Sequence, residues 1–114
     1  MEFSEIQRLV KANAERYAKK HGITFTREIL LLKLMEEVGE FAEALSVCDE
    51  QCRSEKKLPP VEAREQLESE LADLCNIVLL LAEHLDVNLL EALEKKTLVK
   101  GRQYLATSLA SDLH

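Results

Sequence analysis

Tryptophan is missing from this chain, and only two tyrosines and three phenylalanines are present, so few aromatic faces are available to stack on a flat ligand. Proline occurs twice and glycine three times in 114 residues, too few turn formers for a chain of many short strands. An excess of basic charge is lacking too: the net charge of -6 excludes a sequence-independent grip on polymeric nucleic acid, which needs a cationic face to displace counterions. The three cysteines, Cys48, Cys52 and Cys75, are an odd number with no histidine nearby to complete a zinc set, and they read as reduced thiols. No basic segment precedes a long apolar run at the N-terminus, and the longest apolar runs fall far short of a membrane span. A soluble, unexported, cytoplasmic protein is expected. None of His21, His84 and His114 follows a glutamate by three residues, which removes the di-iron carboxylate bundle.

What the chain does contain is leucine, alanine, glutamate and lysine, with 46% hydrophobic and 32% charged residues. Such a composition predicts an all-α fold, an antiparallel bundle of about four helices in one domain over 1–114, with a core at about 4–104 and a tail at 105–114. The organising stretch is Leu71 to Ala82, LADLCNIVLLLA. A helix apolar on nearly every side must be wrapped by others, and three companions from one short chain barely surround it, so the bundle is expected to be completed by oligomerisation.

Helix boundaries follow from capping signals. Ser4 with Gln7 suggests a capping box for a first helix that Gly22 ends near His21. Thr26 is the expected N-cap of a second helix, from about Arg27 to about Arg53, with an apolar stripe of Leu31, Leu34, Val38, Phe41, Ala42 and Leu45. Ser54 to Pro60 forms a loop, and a third helix runs from about Val61 to His84 or Leu85. Asn88 caps a fourth helix, from Leu89 to about Lys100, stopped near Gly101. The tail from Ala106 carries no legible signal.

Only Asp73 and Asn76 interrupt the apolar stretch, and Glu70 stands one helical turn before Asp73, about 60° away on the helical wheel. A carboxylate among leucines costs several kcal/mol unless something positive meets it. The other conspicuous cluster is also acidic: Glu36, Glu37, Glu40 and Glu43 fall within eight residues, and Glu37 and Glu40 repeat the spacing of Glu70 and Asp73. Two acidic pairs on two antiparallel helices suggest a divalent cation, with Mg²⁺ favoured and Mn²⁺ allowed by the all-oxygen donor set. Gly39 sits among these glutamates, where it costs about 1 kcal/mol of helix stability against alanine, and is expected to open room beside them. A solvated glutamate face remains the simpler account of Glu36 and Glu43 taken alone.

Glu36-Glu37-Val38-Gly39-Glu40 followed by Glu70-Leu71-Ala72-Asp73 reproduces an EExxE and ExxD pattern, and over about Glu28 to Tyr104 the chain resembles the MazG-type nucleoside triphosphate pyrophosphohydrolases. That resemblance implies cleavage of nucleoside or deoxynucleoside triphosphates between the α and β phosphates, giving the monophosphate and pyrophosphate, in nucleotide-pool house-cleaning. It also implies Mg²⁺ held by Glu37, Glu40, Glu70 and Asp73, with Glu36 at a second metal or activating water alongside Glu37. Assembly as a homodimer or homotetramer is implied as well. Lys33, Lys96, Lys100 and Arg102 are the candidate phosphate contacts. Many relatives carry an asparagine four residues after the last-helix lysine; here Lys96 is followed by Lys100, with Gln103 where a further basic residue would come. Among Phe3, Tyr17, Phe25 and Tyr104 the sequence does not choose a partner for the base.

Two other readings fit the same residues. The phosphoribosyl-ATP pyrophosphohydrolases share the acid spacing and the chemistry, although the EEVGE order and the N-terminal helix favour the MazG type. A helical assembly module with a degenerate acidic site needs no chemistry at all.

Overall fold

A computed structural model describes residues 1–112. Every regular element is helical: α1 (Phe3–His21), α2 (Arg27–Cys48), a 3₁₀ turn (Ser54–Lys56), α3 (Pro60–His84), α4 (Leu89–Leu93), a π-helical stretch (Glu94–Leu98) and α5 (Val99–Asp112). Among the described residues no helix is long and apolar enough to cross a membrane.

Local chemistry sets most boundaries. Thr26 accepts a hydrogen bond from the Ile29 amide and Asn88 one from the Glu91 amide, so each satisfies an orphan donor of its helix. Gly22 takes the left-handed conformation (φ 64°) that ends α1. Pro60 opens α3, where a missing amide hydrogen costs nothing. Three boundaries differ from expectation. The first helix starts at Phe3, with Glu2 at the N-cap and no side-chain cap, so Ser4 lies inside the helix. The second helix stops at Cys48, where the chain turns through Glu50 at φ 57°. The fourth runs on through Gly101, because one glycine costs only about 1 kcal/mol and does not by itself stop a helix.

The central unit is the antiparallel pair α2 and α3. The Cys48 thiol at the end of α2 donates to the Ala63 carbonyl at the start of α3. On α2 the residues drawn into the seam are Leu30, Leu34, Glu37, Phe41, Ala44 and Cys48; on α3 they are Ala63, Leu67, Glu70, Leu74, Ile77 and Leu81. Both series follow the three-four spacing of a helix face, and both have a glutamate near the middle. This corrects the predicted stripe of α2: Leu31, Val38 and Leu45 are exposed, together with Leu32 and Met35. Helix α2 has two apolar faces, and only one is covered.

A second uncovered stripe lies on α3 at Leu71, Cys75 and Val78. Each exposed stripe is displaced by one residue, about 100°, from its buried stripe. Because the helices are antiparallel, equal rotations in the same sense carry both stripes to the same side of the pair. Lys33, Glu40, Asp73 and Asn76, displaced the other way, share the opposite side. Helix α1 covers part of that side by packing on α3, tied by an ion pair from Lys11 to Glu83 at 2.9 Å.

The chain does not close a core by itself. The buried apolar residues among those described are Leu30, Ala44, Ala63, Ile77, Leu79 and Ala82. The radius of gyration is 18.4 Å, against about 13 Å for a compact domain of this length. Much of the excess comes from α4 to α5, a continuous rod that packs closely on none of α1, α2 and α3. Leu71, inside the stretch expected to be wrapped, is 52% exposed.

Candidate metal centre

Glu37 and Glu70 meet because each sits near the middle of its packed face. Asp73, one turn beyond Glu70, reaches the same point from the rim. One carboxylate oxygen from each of the three lies within 4.8 Å of the other two. Oε2 of Glu37 and Oε2 of Glu70 are buried without a hydrogen-bond partner, whereas Oε1 of Glu70 accepts from Gln66 Nε2 at 2.6 Å. Buried acceptors are ordinarily satisfied, and leaving one unmade costs about 1–3 kcal/mol.

The electrostatics agree with the geometry. Burial is the first cause raising the Glu37 carboxyl above its ordinary value, followed by the negative charge of Asp73; Glu70 and Glu36 add to the rise, while a hydrogen bond with Glu40 opposes it. Glu40 is exposed beside the cluster, and the charge of Glu37 is the largest of the effects that push it up to about 7. Elsewhere the carboxyls with resolved shifts move the other way. Lys56 holds Glu43 down, and Arg102 holds Glu94 down, each first through a hydrogen bond. Of these four carboxyls, the two that have a cation are thus depressed, and the two beside other acids are raised.

A divalent cation fits this donor set. Oxygens bound to one Mg²⁺ at 2.0–2.1 Å stand at most about 4.2 Å apart, so small side-chain adjustments close the triad. Glu40 is adjacent as a fourth oxygen donor. Ionised ligands around a doubly positive charge would replace the present mutual repulsion by attraction, and would satisfy both orphan oxygens.

The other candidates separate. Glu36 is exposed, and acts on the cluster through its charge on Glu37. Lys33 is half-buried and, with Glu37 and Asp73, lines a cavity of about 440 Å³ between α1 and the α2–α3 pair. Lys96, Lys100 and Arg102 lie on the C-terminal rod and do not line it. Arg102 is engaged by Glu94 through two hydrogen bonds of 2.7 and 3.2 Å. Around Gly39 a Cβ would meet no atom within 4 Å, so within one chain nothing crowds this position, and the room it was expected to provide is open surface.

Three residues near the cluster escaped the sequence reading. Gln66 orients Glu70, and its place one turn ahead on the same helix was the available signal. Lys56, on the 3₁₀ turn, lines a second cavity with Glu40 and Glu70; its basic charge in a polar loop carried no hint of that placement. Asn13 lines the first cavity from α1, and nothing in the sequence shows which face of α1 meets α3.

Comparison with curated proteins and with solved structures gives no significant match. A family model does match, over residues 25–98, a span that holds the acidic residues of both helices and the seam that brings them together. On that match, the chain belongs to the MazG nucleotide pyrophosphohydrolase domain family.

Proposed function

We propose that this chain is a Mg²⁺-dependent hydrolase that splits nucleoside or deoxynucleoside triphosphates between the α and β phosphates, releasing a monophosphate and pyrophosphate, as a nucleotide-pool house-cleaning activity. The observation that carries the reading is the pair of buried, unpartnered oxygens of Glu37 and Glu70, converging with Asp73 at the wall of an open cavity. In this reading Glu37, Glu70 and Asp73 hold the ion, and Glu40 completes the set. Bound there, Mg²⁺ supplies charge neutralisation for the phosphates and a lowered pKa for an attacking water. Lys33 adds positive charge from the cavity wall. Gln66 keeps Glu70 turned so that Oε2 faces the cluster. Water is divided between the products: its oxygen forms a new bond to phosphorus, the bridging P–O bond breaks, and a proton is released to a nearby base. In this reading Glu36, exposed beside Glu37 and outside the ligand set, takes that proton.

The assay that tests this reading is a panel of nucleoside and deoxynucleoside triphosphates with Mg²⁺, in which released pyrophosphate is distinguished from orthophosphate. Pyrophosphate and monophosphate in equal amounts are expected. Orthophosphate alone, or no turnover of any nucleotide, would contradict the reading.

The exposed stripes on α2 and α3 support a second copy of the chain as their cover. They carry Leu31, Met35, Val38, Leu71 and Val78, on the side of the pair away from the cavity, so a partner would brace the ligand helices from behind without blocking entry. Open space at Gly39, one turn from Met35, allows close approach of a second backbone. Sedimentation at micromolar concentration should show a dimer or larger species, and Met35→Glu should shift it to monomer. A wild-type monomer would end this part of the account.

A further inference from the structure

The geometry points to Lys56, on the loop between α2 and α3, as the residue that holds the pyrophosphate end of the substrate, leaving its ion pair with Glu43 to do so. The inference rests on the proposed hydrolysis and names a residue that binds one of its products. It starts from a juxtaposition. The carboxylate centre stands between two cavities: Glu37 and Asp73 line the first, whereas Glu70, the third member of the triad, lines the second together with Glu40. An ion held there faces both, so a substrate cut at the ion leaves one part on each side. The two walls differ. Around the first cavity stand Tyr17, Phe25, Ile77 and Leu80, and strongly hydrated phosphate oxygens lose by leaving water for such a surface. The second cavity, about 420 Å³, is lined mainly by charged and polar side chains, and Lys56 is the basic one among them.

Lys56 is fixed at its backbone and free at its tip. Its amide donates to the Arg53 carbonyl at 2.9 Å, closing the 3₁₀ turn, and the bond from Cys48 to the Ala63 carbonyl ties together the helix ends that carry the loop. Its ammonium donates to Glu43 Oε1 at 2.5 Å, in a pair whose two side chains are each about half exposed. An exposed ion pair contributes little net stability, so the lysine gives it up readily for a polyanion anchored on a neighbouring metal ion. An ammonium on a flexible four-carbon stem, with three donors, suits that exchange. Glu43 has a second consequence. Once pyrophosphate leaves the ion, Glu43 and Glu55, both on the cavity wall, repel it, and Glu43 recovers the lysine. The product is thus held while the metal also holds it and is released afterwards, which makes Glu43 a built-in competitor for Lys56.

The test measures binding of inorganic pyrophosphate and of the monophosphate product by calorimetry at saturating Mg²⁺, with kcat and KM for the triphosphate, in wild type, Lys56→Ala, Lys56→Arg and Glu43→Gln. Loss of one charge-assisted contact in Lys56→Ala should weaken pyrophosphate about tenfold and raise KM by a similar factor, with the monophosphate unaffected. Lys56→Arg should restore most of that affinity. Glu43→Gln should act in the opposite direction and tighten pyrophosphate about two- to fivefold, since it removes both the partner that competes for Lys56 and a repelling charge. Lys56 and Glu43 are exposed, so all three variants are expected to fold, and melting temperature and Mn²⁺ affinity measured on each check that the ion site is intact. Pyrophosphate binding unchanged in Lys56→Ala, or weakened in Glu43→Gln as much as in Lys56→Ala, would overturn the inference, while wild-type turnover would leave the hydrolytic reading standing. Failure of wild type to release pyrophosphate from any nucleotide would overturn both.

Discussion

Asp73→Asn and Glu70→Gln should lose about 10³-fold or more of pyrophosphate release and yet melt at a higher temperature than wild type in metal-free buffer. Both effects have one cause. The three carboxylates that converge across the α2–α3 seam repel one another: after burial, the charges of Asp73 and Glu70 both add to the rise of the Glu37 carboxyl. Removing one negative charge relieves that repulsion, and the amide preserves shape. The same change removes a ligand from a site whose electrostatic contribution to phosphoryl transfer is several kcal/mol, or some 10³-fold in rate. Activity and thermal melting of the purified variants test the pair together. Full activity in both would sink the assignment of the site. A lower melting temperature in both, with activity lost, would mean that the carboxylates serve as structural hydrogen-bond acceptors.

In the metal-free protein, melting temperature should fall as pH rises from about 4.5 to about 7, and saturating Mg²⁺ should remove that fall. Glu40 titrates near 7 in the folded chain, against an ordinary value of 4.5. Below 4.5 both folded and unfolded chains hold this proton. Between the two values the folded chain retains it and the unfolded chain has released it, so raising the pH favours unfolding; above about 7 the loss is complete. Glu37, raised for related reasons, acts in the same direction. A bound cation competes with these protons, so Mg²⁺ should stabilise little at pH 5 and most at pH 8. Melting curves at several pH values, each with and without Mg²⁺, check the sign. An Mg²⁺ effect that is constant across the range would argue against these carboxylates as its binding site.

The sequence disclosed the parts of the structure that depend on near neighbours. Thr26, Asn88, Pro60 and Gly22 mark helix ends by chemistry confined to a few residues, and all four do so in the folded chain. Ser4 did not, because the helix starts two residues earlier than a Ser4 cap would place it, at Phe3, and absorbed the serine. The face of α2 was misread for a different reason. Leu30, Leu34, Phe41 and Ala44 compete with Leu31, Met35, Val38 and Leu45, and periodicity cannot rank two apolar faces of one helix. The ranking comes from α3, which brings Glu70 opposite Glu37 and so draws Glu37 into the seam.

The acidic centre was more legible than the pocket beside it. Carboxylates at three-residue spacing on an otherwise apolar helix are anomalous by themselves, since burial of charge is expensive whatever the fold. Asparagine and tyrosine on a surface helix are unremarkable by the same measure. Asn13 and Tyr17 acquire meaning only when α1 lies across α3, an arrangement set by contacts distant in sequence, such as Lys11 with Glu83. The rod from α4 to α5 marks the same limit. Its helical propensity continues through Gly101, and no local signal states what it should pack against.

Equilibrium binding of Mn²⁺, followed by its paramagnetic resonance signal in wild type and in Glu70→Gln, addresses the ion site itself without requiring turnover. Saturable binding at this centre, displaced by Mg²⁺ and lost or severely weakened in the variant, is the predicted result. Binding of equal strength in the variant, or none in wild type, would mean that the acids of α2 and α3 meet for a reason other than holding a cation.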